Sequence, residues 1–216
     1  MARHRLLVTG AGGFVGSVLA ELAASHPLGE EISFVPLVNP AGQSIDIRNA
    51  KAVEERIAEV EPTAVIHLAA IASPRIASQQ PEEAWAVNVM GTFNLAHAVL
   101  KHSPEARFIF AGSSEAYGES FALSQAPLTE DSPFQPLSPY GATKAAGDIM
   151  LGQMARQGLK ATRFRPFNHT GPGQPALYVI PSFARQIVRI ERGWQEPVMR
   201  VGNLKARRDF LDVRDV

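Results

Sequence analysis

Short apolar runs alternate along this chain with longer segments in which apolar residues recur at helical spacing. The short runs predict buried strands at Arg5 to Thr9, Ile32 to Val38, Ala64 to Ala69, Arg107 to Gly112 and Ala161 to Arg165, with a further short strand at Ser44 to Ile47. The longer segments predict helices at Phe14 to Ser25, Ala50 to Val60, Pro81 to Lys101 and Pro139 to Gln157.

Strands that alternate with helices of crossover length predict a parallel sheet with helices on both faces. We therefore expect an α/β fold with a doubly wound sheet. After Arg165 a segment rich in Pro, Gly and His precedes a helix-like stretch at Val179 to Arg192. This change predicts two domains, residues 1–165 and a smaller one at 166–216. The stretch from Gly118 to Ser138 predicts a long irregular loop.

Composition and charge narrow the classes of function. The 216 residues carry 21 Lys and Arg against 21 Asp and Glu, with 45% apolar residues and no Cys. An even charge balance disfavours nucleic acid as a main partner, and no apolar run approaches the roughly 18 residues of a membrane span. Without Cys the chain has no disulfide or thiolate, which favours the cytoplasm, and the His spacing predicts no metal site.

Three glycines lie between the first predicted strand and the first predicted helix. Gly10, Gly13 and Gly16 are three residues apart, with Phe14 and Val15 between the last two. Glycines at this place let the backbone turn sharply and approach a pyrophosphate, whose charge is met by N–H groups at a helix N-terminus. A tight strand-to-helix turn without a ligand is the alternative, and the flanking strand and helix favour dinucleotide binding.

A tyrosine and a lysine share one face of a predicted helix. Tyr140 and Lys144 are four residues apart, so both side chains project in the same direction. A tyrosine has an ordinary pKa of about 10, and a neighbouring ammonium favours the phenolate, which brings the group nearer the pH of proton transfer. The pair is a candidate acid/base site; its alternative is an aromatic residue and a solvated lysine on a helix surface.

Together with the glycines, five further segments resemble the extended short-chain dehydrogenase/reductase family. They are Asp46-Ile47, His67 to Ala70, Asn88 with Gly91-Thr92, Ser113 to Gly118 and Tyr140 to Lys144. The resemblance implies a Rossmann-type domain that binds NAD(P)H, and an enzyme in which Tyr140 moves the proton, Ser113 hydrogen-bonds the reacting sugar oxygen and Lys144 tunes the tyrosine and holds the nicotinamide ribose. It further implies that Asp46 holds the adenine amino group and that Ile47 flanks the adenine ring. The other residues implied to contact or support the cofactor are Gly10, Gly13, Phe14, Val15, Gly16, Leu68, Ala69, Ala70 and Asn88.

The segment Arg163 to Gln174 is similar to that of family members that reduce the 4-keto group of GDP-linked 6-deoxyhexoses. By this resemblance Pro166 and His169 would approach the nicotinamide. Four residues would contact the nucleotide-diphosphate sugar: Ser114, Asn168, Arg185 and Arg208. We therefore expect a reductase giving a GDP-rhamnose-type product.

Several alternatives remain open. Glu115 has two candidate roles. It is either the base that removes a carbon-bound proton, as in a 4,6-dehydratase acting on GDP-mannose, or an acid that hydrogen-bonds its own loop. A nucleotide-sugar 4-epimerase and a non-catalytic NAD(P)-binding sensor or scaffold are the other candidates. The sequence encodes no clear choice between NADH and NADPH, because Ser33 to Ile45 holds no charged residue.

The resemblance also implies features of the whole protein. Family members often form homodimers through the helices corresponding to Pro81 to Lys101 and Pro139 to Gln157. They continue beyond the motif that contains Arg208, so we expect residues 166–216 to be the beginning of a substrate-binding domain in a truncated chain.

Overall fold

The computed structural model describes residues 4–25 and 31–216, and its centre is a five-stranded parallel sheet. The strands are β1 His4–Thr9, β2 Ile32–Pro36, β3 Ala64–His67, β4 Arg107–Ala111 and β5 Lys160–Phe164, in the order β2-β1-β3-β4-β5. The predicted doubly wound α/β fold is confirmed. The strand order reverses between β1 and β3, and ligands of such sheets bind beyond the carboxyl ends of the strands at this point.

Helices connect the strands of this sheet. They are α1 Phe14–Ser25, α2 Ala50–Val60, α3 Pro74–Gln79, α4 Pro81–Trp85, α5 Thr92–His102, α6 Ser120–Leu123 and α7 Pro139–Ala155. The strands and helices bury one apolar core that includes Leu7, Val65, Phe108, Leu95 and Leu151. This core fixes the sheet against the helices that carry the polar residues discussed below.

Three sequence predictions differ from the structure. The strand at Ser44 to Ile47 is wrong, because Ser44 makes one isolated bridge to Val38 and the Asp46 carboxylate then accepts the N–H of Arg48, which turns the chain. The helix at Pro81 to Lys101 is interrupted by a π-helical stretch at Ala86–Gly91. The loop predicted after Tyr117 contains the short helix α6.

One further helix, α3, was not predicted. Its signals are nevertheless local, because Pro74 occupies the first turn and the Ser73 hydroxyl accepts the N–H of Ile76. The helix is only six residues long, which is too short for apolar periodicity to reveal it.

The chain divides into two compact units, Met1–Pro166 and Phe167–Val216. In the second unit β6 Asn168–Thr170 pairs in parallel with β7 Phe210–Asp212, and helix α8 spans Val179–Glu191. No residue of α8 is buried, and apolar side chains along it are exposed. Within the described ranges, no helix has the length and apolar character needed to cross a membrane.

Candidate active site

The glycine loop joins β1 to α1 at the carboxyl edge of the sheet. Gly10 has a φ of +70°, and a Cβ there would lie 2.8 Å from the backbone N of Ala69, after β3. A Cβ on Gly16 would lie 2.3 Å from the Gly10 carbonyl oxygen, which also accepts the N–H of Gly13 at 2.9 Å. These close backbone approaches exclude side chains, and α1 begins at Phe14 and Val15 directly beyond them.

This loop fits a dinucleotide pyrophosphate. Any Cβ on Gly10 or Gly16 would fill the backbone cradle, and the first turn of α1 offers N–H groups to an anion at the strand ends. Leu68, Ala69 and Ala70 follow β3 beside Gly10, as the predicted ribose-phosphate path requires.

The predicted adenine contacts have partners of their own. The Asp46 carboxylate accepts hydrogen bonds from the Arg48 guanidinium, and Nε of Arg48 lies 2.9 Å from Oδ2 of Asp46. These hydrogen bonds lower the pKa of Asp46. Arg48 also bridges to Glu83 at 2.6 Å. Ile47 is buried in the core against Gly91, where a Cβ would lie 2.5 Å from its side chain. Their roles toward adenine stay predictions.

Tyr140 and Lys144 lie on α7, whose start is fixed by Ser138. The Ser138 hydroxyl accepts the N–H of Gly141 at 3.0 Å and so caps the helix. A Cβ on Gly141 would lie 2.6 Å from the backbone oxygen of Glu115. The first turn of α7 therefore packs directly on the segment that follows β4, which carries Ser113.

Ser113 ends the extended backbone after β4. It is 8% exposed, and its hydroxyl accepts the N–H of Glu115 at 3.1 Å to begin the 3-10 turn Ser114–Ala116. That bond leaves the hydroxyl hydrogen of Ser113 for another acceptor. Ser114 is also buried, and its N–H donates to the carbonyl of Pro166 at 3.1 Å, which places Pro166 beside this turn.

Glu115 is exposed, in contrast to the two buried serines that precede it, Ser113 and Ser114. Its Oε2 lies 3.4 Å from the Ser138 hydroxyl, which is a long hydrogen bond to the cap of α7. This contact is made to the start of α7 and not within the loop that carries Glu115, and both candidate roles of the accessible carboxylate stay predictions.

The Lys144 ammonium is buried. Its Nζ donates to the carbonyl of Ala111 at 2.7 Å and lies 5.1 Å from the centre of the Phe110 ring and 5.9 Å from that of Tyr140. Burial lowers the pKa of Lys144 from 10.5 to about 8. The sheet thus holds a desolvated cation beside the Tyr140 ring.

Asn88 connects the π-helical stretch to these elements. It is 2% exposed, its Oδ1 accepts the N–H of Ile71 at 2.8 Å, and its Nδ2 donates to Thr143 Oγ1 at 3.0 Å. Asn88 therefore links the π-helical stretch to α7 one turn from Tyr140, and its role toward the cofactor stays a prediction.

The remaining predicted residues belong to the second unit. Asn168 on β6 donates through Nδ2 to the carbonyl of Asp209 at 3.2 Å, so it neighbours Arg208 in the chain that leads into β7. His169 Nδ1 lies 3.2 Å from the carbonyl of Phe167. Arg208 is exposed.

A cavity of about 750 Å³ in the second unit contains Arg185. Arg189 and Arg200 also line it, and the Gln186 amide holds the backbone of Arg200 through two hydrogen bonds of 2.7 and 3.1 Å. Three arginines and one acid, Glu196, therefore line this cavity, and the place of Arg185 near a nucleotide stays a prediction.

Sequence reasoning did not single out two buried polar residues, Thr9 and Asp148, and it treated Thr92 and His67 only as parts of motifs. Thr9 and His67 end β1 and β3, so a polar residue closing an apolar strand was an available signal. The Asp148 carboxylate accepts hydrogen bonds from Arg163 at 2.7 Å and from Arg165 at 2.8 Å, which ties α7 to β5, one of the two edge strands, and to the residue that follows it. Within the described residues, no cluster of three metal-binding side chains is found.

A family model described as the NAD dependent epimerase/dehydratase family matches residues 6–216. The chain belongs to this family. The chain is 36% identical to a curated relative, a GDP-6-deoxy-D-mannose reductase of Pseudomonas aeruginosa, over 99% of the chain and 68% of the relative. It is 32% identical to a dTDP-glucose 4,6-dehydratase of Mycobacterium tuberculosis, over 98% of the chain and 66% of the relative.

A solved structure of RMD from Pseudomonas aeruginosa, complexed with NADPH, superimposes with a TM-score of 0.86 at 33% identity. The match covers 98% of this epimerase/dehydratase family member and 70% of the solved chain. The chain therefore spans about two thirds of the length of these proteins. The predicted family, its Rossmann-type fold and its dependence on NAD(P) are confirmed.

Proposed function

We propose that the protein is an NAD(P)H-dependent reductase of the 4-keto group of a GDP-linked 6-deoxyhexose. The observation that carries the proposal is the buried Lys144 ammonium beside Tyr140, with Ser113 at the end of the neighbouring strand. The 36% identity to a GDP-6-deoxy-D-mannose reductase supports this substrate class over those of the dehydratase and epimerase relatives.

Different residues of the chain orient the keto group, donate the proton and stabilise the phenolate that results. When bound, a reduced nicotinamide supplies the hydride that adds to the keto carbon. The Ser113 hydroxyl hydrogen, free of its own loop, donates to the keto oxygen and orients it. Tyr140 gives its phenolic proton to that oxygen as the carbon–oxygen double bond is reduced, which yields the alcohol and a phenolate. Lys144, held by the Ala111 carbonyl, stabilises the phenolate by its charge.

Two further groups of residues serve binding in this proposal. The glycine loop with Leu68, Ala69 and Ala70 holds the dinucleotide, with Asp46, Ile47, Pro166 and His169 at its two ends. In the second unit, Asn168, Arg185 and Arg208 meet the phosphates and nucleotide of the sugar, a task that suits the bidentate guanidinium. Ser114 contacts the sugar beside Ser113.

The test is turnover with a defined substrate. The purified protein is incubated with GDP-4-keto-6-deoxymannose and NADPH, coenzyme oxidation is followed by absorbance, and the product is identified by NMR. Oxidation of one NADPH per new alcohol is expected. Loss of water from GDP-mannose would instead establish the dehydratase, an epimerised sugar without net oxidation the epimerase, and coenzyme binding without any turnover the sensor.

A pair of serine variants gives the matched control. Ser113→Ala removes the donor to the keto oxygen, so we expect kcat to fall by about 100-fold or more. Ser103→Ala removes a buried hydroxyl that has no hydrogen-bond partner and follows α5, so kcat is expected to be unchanged. Equal activity of the two variants would contradict the role of Ser113.

We also propose that the protein forms a homodimer through α4, the π-helical stretch, α5 and α7. Apolar side chains on these elements are exposed: Trp85, Met90, Phe93 and Ile149. Burial of such a patch stabilises association. Sedimentation of Ile149→Arg should show a monomer. Leu204→Arg changes an apolar residue of the second unit that is more exposed than Ile149, and it should leave the dimer intact. A monomeric parent protein would refute the proposal.

A cytoplasmic location completes the proposal. It is supported by the absence of Cys and by the nucleotide-linked substrates and coenzymes of this chemistry. Cell fractionation with an antibody to the protein is the test, and recovery with the membrane fraction would contradict it.

A further inference from the structure

A line of buried polar side chains runs from the end of β1 to the start of α7, and the reaction proposed above does not use it. Thr9, His67 and Thr92 are each no more than 2% exposed. Thr9 Oγ1 lies 2.7 Å from His67 Nδ1, and His67 Nε2 lies 2.8 Å from Thr92 Oγ1. Buried polar groups in such a line are costly unless each donor meets an acceptor.

The hydrogen atoms of this line have one consistent placement. The Thr92 hydroxyl donates its single hydrogen to the carbonyl of Asn88 at 2.6 Å, because a carbonyl can only accept. Its oxygen must then accept from His67, so His67 Nε2 carries a hydrogen. Thr9 Oγ1 accepts the N–H groups of Leu68 and Ala69 at 3.2 and 3.0 Å, which leaves its own hydrogen for His67 Nδ1.

The line continues to the helix that carries Tyr140. Asn88, whose carbonyl receives the Thr92 hydrogen, donates from its side chain to Thr143 Oγ1 at 3.0 Å. Thr143 in turn donates to the carbonyl of Tyr140 at 2.8 Å. Hydrogen bonds therefore connect the end of β3, through one imidazole, to the first turn of α7.

Packing connects the same imidazole to Lys144. The His67 ring centre lies 6.0 Å from that of Phe108 and 6.1 Å from that of Phe110. The Phe110 ring also contacts the Lys144 ammonium, which lies 5.1 Å from its ring centre. Burial and the nearby Lys144 charge lower the pKa of His67 to about 3, so the imidazole stays neutral while the ammonium is charged.

We propose that His67, as the neutral Nε2–H tautomer, is a positioning residue that aligns Tyr140 and Lys144 with the coenzyme path at Leu68 and Ala69. It acts through Thr9 on one side and through Thr92, Asn88 and Phe110 on the other. The inference rests on the proposed function, because Tyr140 and Lys144 are the groups that it positions.

The first experiment needs no substrate, so its outcome does not depend on the proposed reaction. Long-range proton–nitrogen NMR of the labelled protein reports the protonation of each ring nitrogen. We expect a protonated Nε2 and an unprotonated Nδ1 for His67 at every pH between about 5 and about 8. A protonated Nδ1, in either an imidazolium or the other tautomer, would overturn the proposal.

The second experiment cuts the line at two places. His67→Phe keeps a ring of similar size without nitrogens, and Thr92→Val removes the next hydroxyl. Each is expected to lower kcat by about 10- to 100-fold with little change in KM for the sugar, because small displacements of reacting groups cost about that much. The double variant should be no slower than the slower single variant, since the line is already cut. Independent, multiplying losses would refute the linkage.

Two further variants separate positioning from stability. Thr63→Val removes a hydroxyl bond to the N–H of Arg5, 2.9 Å long, at the opposite end of β3, and should lower the Tm without lowering kcat. His67→Gln retains a neutral amide donor for Thr92 and should recover activity relative to His67→Phe. An equal kcat loss in Thr63→Val, or no recovery with glutamine, would contradict a positioning role.

The coenzyme gives a readout if the tested sugar is not turned over. Because Thr9 holds the N–H groups of Leu68 and Ala69, His67→Phe should raise the Kd for NADPH by about fivefold or more, whereas Thr63→Val should not. An unchanged Kd in a folded His67→Phe variant would count against His67, whereas a parent protein that binds NADPH but does not reduce the sugar would count against the proposed reaction alone.

Discussion

Replacing Lys144 by Met should make the protein's stability less dependent on pH in alkaline solution. Lys144 is 5% exposed, and burial lowers its pKa from 10.5 to about 8 in the folded state. At 1.36 kcal/mol per pKa unit, the charged form therefore costs the folded state about 3 kcal/mol relative to the unfolded chain. The Met side chain fills a similar volume and carries no charge.

The sign follows from proton binding. Below about pH 8 the lysine is protonated in both states, so its cost is constant. Between about pH 8 and pH 10.5 the unfolded chain holds the proton and the folded protein does not, so the free energy of unfolding rises with pH. The wild type should gain up to about 3 kcal/mol across this window relative to Lys144→Met, which has no such group.

Urea unfolding without added coenzyme, at several values from about pH 7 to about pH 10.5, measures the difference. Lys160→Met is the matched control, because the Lys160 ammonium is half exposed and pairs with Glu105 on the surface. Its stability should run parallel to that of the wild type. A constant difference between wild type and Lys144→Met over the whole range would refute the argument that burial sets this pKa.

Three other predictions concern the backbone cradle, a buried carboxylate and acid stability. Gly16→Ala should raise the Kd for NADPH more than about 10-fold and lower the Tm, because its Cβ would lie 2.3 Å from a carbonyl oxygen. Asp148→Asn should lower the free energy of unfolding in urea by about 3 kcal/mol, because two arginines lose their buried carboxylate partner. His67→Gln should reduce the loss of stability between about pH 6.5 and about pH 3, the window in which the unfolded chain binds a proton that folded His67 does not.

Each of the three has a comparison within the chain. Gly12→Ala should have no effect on NADPH binding, because nothing lies within 4 Å of its Cβ position. Glu105→Gln breaks an exposed pair and should cost less than about 1 kcal/mol, so an equal cost for Asp148→Asn would contradict the buried pairing. For His67, the comparison is the midpoint of acid unfolding in the wild type and in His67→Gln. An identical midpoint would contradict the prediction, because it would mean that the pKa of His67 is the same in the folded protein and in the unfolded chain.

The sequence predicted those features that depend on local spacing. Glycines at 10, 13 and 16 mark a sharp turn into α1, and Tyr140 and Lys144 share a helix face because they are four residues apart. The five parallel strands follow from apolar runs between helical segments. These features need no knowledge of distant contacts, and the fold that they predict is the one observed.

Features that depend on distant contacts were not predictable in this way. Thr9 and His67 are 58 residues apart, and their hydrogen bond exists only because β1 and β3 are neighbours in the sheet. The burial of Lys144 depends on Phe110 and Ala111 of β4. The strand wrongly predicted at Ser44 to Ile47 has suitable residues, but it makes one isolated bridge, from Ser44 to Val38, before the chain turns at Asp46.

The two ion pairs that Asp148 forms with Arg163 and Arg165 have a consequence for local unfolding. They join α7 to β5, which is one of the two edge strands and has one neighbour, β4, in the sheet. Edges of sheets open most readily, yet here the edge is attached to the helix that carries Tyr140 and Lys144. The amide hydrogens of α7 and β5 should therefore exchange with solvent as one cooperative unit, so that fraying of this edge also opens the helix that carries Tyr140 and Lys144.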